Sequence, residues 1–179
     1  MSNETSIDEF ARTLLEEAKR YLEKASEEKL SAHLHAALIL AFSSLEAYIN
    51  SISYDFKDRP ELCLHERGLL LEKDVRLVNG EFVLTEGLKI TRLEDRVKFL
   101  HLRFSGRPLE TSHAHWSRLV DALTLRNSLT HPKKSVEITE SSVAQAIQAI
   151  IDIIDDLYRA IYSSPFPAAN RGLGSKLSF

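Results

Sequence analysis

The chain has 179 residues, of which 44% are hydrophobic and 27% charged, and its formal net charge is -3. That length and balance suit one ordinary globular domain with a full apolar core, while the mild negative charge argues against a protein coated in basic groups for broad nucleic-acid binding. Cys63 is the single cysteine, which excludes an intrachain disulfide and a cysteine-built zinc cluster within one chain.

The first five residues, Met1 to Thr5, carry neither a basic region nor an apolar run. No secretory signal is expected, and a cytoplasmic location follows by default. Ser6-Ile7-Asp8-Glu9 has the form of a capping box, in which the serine hydroxyl takes an orphan backbone N–H and the acid three residues on reaches back. Phe10, Leu14, Leu15, Ala18, Tyr21 and Leu22 follow at spacings of three and four, which predicts a first helix to about Ala25.

A second helix is predicted from near Leu30, with Leu34, Leu38, Ala41, Leu45, Tyr48 and Ile52 on one stripe and Phe42 and Ile49 widening it. So broad an apolar face belongs at the centre of a fold. His35, Ser43, Ser44, Glu46 and Asn50 interrupt it, so it falls short of the ~18 uninterrupted apolar residues of a membrane span.

Asp58-Arg59-Pro60 breaks the chain before a shorter helix through Leu62, Leu69 and Leu70. Val75 to Val78 and Glu81 to Leu84 are then two strand-like runs around Asn79-Gly80, the dipeptide best able to supply two positive φ angles in a tight turn. The pattern predicts a small β-hairpin, about residues 75–84, inserted in a helical body. An isolated hairpin is marginal in water, so it must lean on a helix or on another chain.

A helix from about Arg92 to Phe104 is expected to stop at Gly106 and Pro108. The next starts near Ser112, buries Trp116, Leu119, Val120 and Leu123, and ends where Pro132 disfavours helical geometry at His131. The last long helix runs from Ser141 or Ser142 to about Tyr162 on Val143, Ile147, Ile150, Ile151, Ile154 and Leu157. Residues 1–162 thus read as one mainly all-α domain with a hairpin insert. Residues 163–179, with Pro165, Pro167, Gly172 and Gly174, read as a flexible tail or an arm on a neighbour.

The chemistry concentrates in Leu125-Arg126-Asn127-Ser128-Leu129-Thr130-His131-Pro132. On an unbroken helix Arg126 and His131 lie about 140° apart, whereas Asn127 and His131 share a face. Unwinding at His131 would let the imidazole swing towards the guanidinium. Arginine offers a fixed fork of donors to a phosphate, and histidine gives or takes a proton near neutrality. The trio therefore suits metal-free phosphodiester chemistry, with RNA favoured because its 2′-hydroxyl supplies an internal nucleophile.

From Arg92 through Lys134 there are nine Lys or Arg against four acids, a local basic surplus that includes Lys133, Lys134 and Arg118 as expected phosphate or RNA contacts. The same Arg and His also suit a helix C-terminus neutralised by its own cations. His33-x-His35 and His113-x-His115 look like metal pairs, but residues two apart on a helix point about 200° apart, and no carboxylate or third histidine is placed beside them by the sequence. No metal and no cofactor is expected. A phosphate-cradling Gly-rich loop, a GxSxG elbow and an HExxH motif are all missing.

Arg126-Asn127 followed by His131 at the end of a late helix resembles the R-x4-6-H motif of the HEPN superfamily, and Ala41 to Asn50 (AFSSLEAYIN) resembles that superfamily's second helix. The likeness spans about Phe10 to Tyr162. It implies an antiparallel helical bundle that dimerises and brings two motifs into one cleft. In many members it also implies a metal-independent endoribonuclease of toxin–antitoxin or defence systems. Carried over, Arg126 and His131 would be catalytic with Asn127 assisting, and Glu46 and Asn50, one turn apart on helix two, would support the site. The likeness leaves open a non-catalytic dimeric module that binds a partner protein, such as a nucleotidyltransferase-type antitoxin, or a nucleotide. The hairpin departs from the plain bundle.

Overall fold

The computed structural model describes residues 6–179. Among these described residues six helices make up a mainly α fold, 64% helical, with one two-stranded antiparallel sheet. Helix α1 (Ile7–Glu28) opens under Ser6, whose hydroxyl accepts from the Glu9 backbone N–H at 3.1 Å. Lys29 and Leu30 turn the chain directly into α2 (Ser31–Phe56), and the two helices pack along their lengths.

All eight residues of the predicted α2 stripe are buried, as are Val143, Ile147, Ile150, Ile151, Ile154 and Leu157 of α6 (Glu140–Tyr162). Ala146, Ala149 and Ile153 are buried too, so α6 is apolar around most of its girth. It therefore packs on α1, α2, α4 and α5 at once. Each fully buried Leu, Ile or Phe contributes about 1.5–3 kcal/mol of transfer free energy, which makes α2 and α6 the axis of the core. α2 is long and apolar enough by composition to cross a membrane, but most of its apolar residues are buried in the core, with Ile39 and Tyr54 exposed.

Between them lie α3 (Leu64–Leu71), β1 (Lys73–Val78), β2 (Glu81–Leu88), α4 (Leu93–Ser105) and α5 (Ala114–Thr130). The hairpin turn sits where Asn79-Gly80 places it, with φ of 52° and 88°. Gly68 explains how the hairpin leans on α3: a Cβ there would meet the Lys73 carbonyl oxygen at 2.9 Å and the Val75 side chain at 3.0 Å. Only residues 73–75 of β1 and 83–85 of β2 are half-buried. Leu77, Val78 and Phe82 at the far end, Leu88 at the close of β2 and Ile90 after it face solvent. Gly106, in the left-handed region at φ 72°, ends α4.

Three expectations change. Phe10 and Val120 lie outside, at 54% and 37% exposure, because Ala11 and Leu119 take the inward positions beside them. The segment after Ser163, expected as a flexible tail or an arm on a neighbour, packs on its own chain. Phe166, 3% exposed, meets the Tyr48 and Tyr158 rings edge-on at 5.1 and 5.2 Å. A short 3-10 turn, Ala169–Arg171, then leads the chain across α1. There Glu16 forms an ion pair with the Arg171 guanidinium at 3.2 Å and accepts from the Lys176 backbone N–H at 2.7 Å, and Glu23 accepts from the Ser175 N–H at 2.8 Å. Acceptors on a helix far away in sequence satisfy a tail that has few apolar residues of its own.

Candidate functional site

The last turns of α5 follow from Leu119, Ala122 and Leu123 facing the core. Thr124, Ser128 and Thr130 return their hydroxyls to carbonyls four residues back, at 3.0, 2.9 and 3.2 Å, so these polar side chains are satisfied within the helix and do not cap it. Pro132 stops it. His131 leaves helical geometry at φ -129°, ψ 62°, with its backbone N–H still bonded to the Asn127 carbonyl at 2.9 Å.

Arg126 crosses to α2. Its Nη2 donates to Glu46 Oε1 at 3.0 Å, and its guanidinium lies 5.2 Å from the centre of the Phe42 ring. Nε is buried and meets no hydrogen-bond acceptor among the described residues. The next α2 position on that face, Asn50, accepts from Arg96 Nη2 at 2.8 Å. Arg96 is 3% exposed and also pairs with Glu72 at 3.1 Å. Burial lowers its pKa below the usual arginine value, opposed by the charges of Glu72 and Glu46. Phe42, Glu46 and Asn50, spaced one turn apart, thus form a rail that receives two arginines from different helices.

Two clefts flank this end of α5. The first, about 640 Å³, is lined by Arg126, Arg96, Glu46, Asn50, Glu72 and the Ile90–Glu94 segment. The second, about 590 Å³, is lined by His131, Lys133, Lys134, Ser128 and Glu137. Asn127 lines both. The predicted trio is therefore assembled at one helix end, but within one chain Arg126 and His131 open onto neighbouring clefts rather than a shared one. The imidazole is exposed and has no side-chain hydrogen bond among the described residues.

No family model, curated protein or solved structure matches this chain. The geometry of the site is what a functional reading has to rest on.

The basic surplus of the 92–134 stretch is largely answered by tertiary contacts. Arg96, Arg103 and Arg126 pair with Glu72, Glu66 and Glu46, all outside that stretch. Lys98 lies over the Trp116 ring at 5.0 Å. Lys133 and Lys134 remain on the His131 cleft, whereas Arg118 borders a separate small depression with Asp121 and does not line either cleft. The eight residues from Arg118 to Arg126 span roughly 12 Å of helix, which sets it apart from the trio. Sequence reasoning missed Arg96 and Glu72 as parts of the site. The only advance signal was a run of charged residues at the start of α4, and nothing in it pointed to α2.

Proposed function

We propose that this protein is a metal-independent endoribonuclease of the HEPN type, acting as a cytoplasmic homodimer in a toxin–antitoxin or defence setting. The observation that carries the reading is the pair of adjoining clefts at the end of α5, one holding Arg126 and the other His131, joined by Asn127. An RNA phosphate seated over Asn127 has a guanidinium on one side and an imidazole with two lysines on the other. Pairing with a second copy closes the two open clefts against each other.

In this reading His131 takes the proton of the ribose 2′-hydroxyl, whose oxygen attacks phosphorus. The bond to the 5′ oxygen breaks, and that oxygen takes a proton from a water that is in turn reprotonated by the His131 imidazolium, which restores the neutral histidine. The products are a 2′,3′-cyclic phosphate and a 5′-hydroxyl. Arg126 stabilises the charge that develops on the phosphoryl oxygens. Glu46 holds the guanidinium in position until phosphate oxygens compete for it, and Asn50 and Arg96 brace the same rail. Lys133 and Lys134 attract the flanking backbone.

The test is purified protein incubated with RNA in EDTA beside an Arg126→Ala/His131→Ala variant. The wild type is expected to leave cyclic-phosphate ends, and the variant to lose about 10³-fold or more in rate. Equal cleavage by both would remove the assignment.

The exposed apolar hairpin residues Leu77, Phe82 and Leu88 favour a second reading, a non-catalytic dimeric module that binds a partner protein such as a nucleotidyltransferase-type antitoxin, or a nucleotide. Cells that tolerate high expression of the wild type and of Arg126→Ala equally would support it.

A further inference from the structure

The opposite end of α5 carries a second constellation. His113 is the N-cap residue, with extended backbone at φ -66°, ψ 142°, and His115 is the second helical residue. Two residues apart inside a helix, these rings would diverge by about 200°. One of them lies outside the helix, so that argument does not apply, and their ring centres stand 5.2 Å apart. The missing carboxylate comes from α6. Asp156 places Oδ2 2.8 Å from His115 Nε2, and ligand atoms of His113, His115 and Asp156 all lie within 4.8 Å of one another.

The His115–Asp156 contact is unlike the other close His–carboxylate pair. His33 Nε2 and Glu28 Oε2, also 2.8 Å apart, meet with hydrogen-bond alignment. His115 Nε2 is buried and, at the same distance from Asp156, does not. A hydrogen bond needs the N–H to point at its acceptor. Two ligands of one cation instead both point at a third position and sit side by side. Donors around a tetrahedral zinc at the usual bond lengths stand roughly 3.3 Å apart, between the 2.8 Å of His115 and Asp156 and the 4.8 Å that encloses all three groups.

We propose that His113, His115 and Asp156 form a binding site for a divalent transition-metal cation of the zinc type. Two imidazoles and one carboxylate suit borderline cations such as Zn²⁺, Co²⁺ and Ni²⁺ better than the all-oxygen preference of Ca²⁺ or Mg²⁺. Three protein ligands leave coordination positions open, here towards a cleft of about 480 Å³ that His113 and Asp156 line together with His101, Arg107 and Glu110. The cation ties the start of α5 to α6. The site lies 13 residues along α5 from Arg126, roughly 20 Å, and it does not depend on the RNA reading.

The test uses the full chain stripped with EDTA and then dialysed free of it, titrated with Co²⁺ and with Zn²⁺. Wild type is expected to develop the visible absorption of Co²⁺ in a low-symmetry nitrogen and oxygen site, to lose it when Zn²⁺ is added, and to gain thermal stability with either ion. His113→Ala and Asp156→Asn are expected to weaken binding by more than the roughly 10–100-fold that outer-shell changes cost. A His33→Ala/His35→Ala control keeps the wild-type response. Because His113 is exposed, its replacement leaves the metal-free fold intact and isolates the ligand effect. Absence of both the spectrum and the stabilisation in wild type, or an unchanged response in His113→Ala, would reduce the cluster to a misaligned ion pair.

Discussion

The helical body and the hairpin are ordered by different means. In α2 and α6 nearly every apolar side chain of the predicted stripes is below 10% exposure, so side-chain burial holds these helices in register. In the hairpin the turn and the backbone ladder are in place, with Val75 opposite Leu84 and Leu77 opposite Phe82, yet Leu77 and Phe82 are each 62% exposed. Backbone pairing defines the hairpin, and one face of α3 anchors it. Apolar groups left uncovered by the fold are available to another surface, and Leu88 lines the Arg126 cleft while Ile90 does the same. The region least stabilised by the core thus borders the proposed site.

The contrast is open to measurement. Leu45→Ala, at a position with no exposure, is expected to cost about 2–5 kcal/mol in denaturant unfolding, since the lost transfer energy adds to a cavity that α1 and α6 cannot fill. A cost below that range would mean the body is not the tightly packed half. Gly68→Ala acts on the junction. The added methyl meets the Lys73 carbonyl and Val75, so the hairpin must shift from α3, with a loss of about 1–3 kcal/mol and faster amide exchange across β1 and β2 than in α6. Uniform exchange in both regions would show that the hairpin is not a separate unit.

The smallest effect belongs to the tip. Leu77→Ser/Phe82→Ser is expected to change monomer stability by no more than about 0.5 kcal/mol. If a second copy covers the tip, the same variant lowers self-association measured by sedimentation. An unchanged association state would place the interface elsewhere.

Most of the fold was legible in the residue pattern because it rests on local rules. Stripes at spacings of three and four located α1, α2 and α6, Asn79-Gly80 located the turn, and Gly106 and Pro132 ended their helices at the positions where those residues act. Arg126, Asn127 and His131 were visible as a group because they share one helix end. Arg96 was not, since nothing in its own neighbourhood names Asn50 or Glu72 as partners.

Periodicity and turn chemistry act over a few residues, so the residue pattern is enough to say which segments are helical, where the hairpin turns and which faces are apolar. Tertiary structure alone decided that Glu46 meets Arg126, that Glu16 and Glu23 receive the C-terminal segment, and that Asp156 reaches His113 and His115. Each of these joins a charged or polar group to a partner dozens of residues away. Such pairings depend on how helices cross, and the backbone preferences of a short segment carry no record of that.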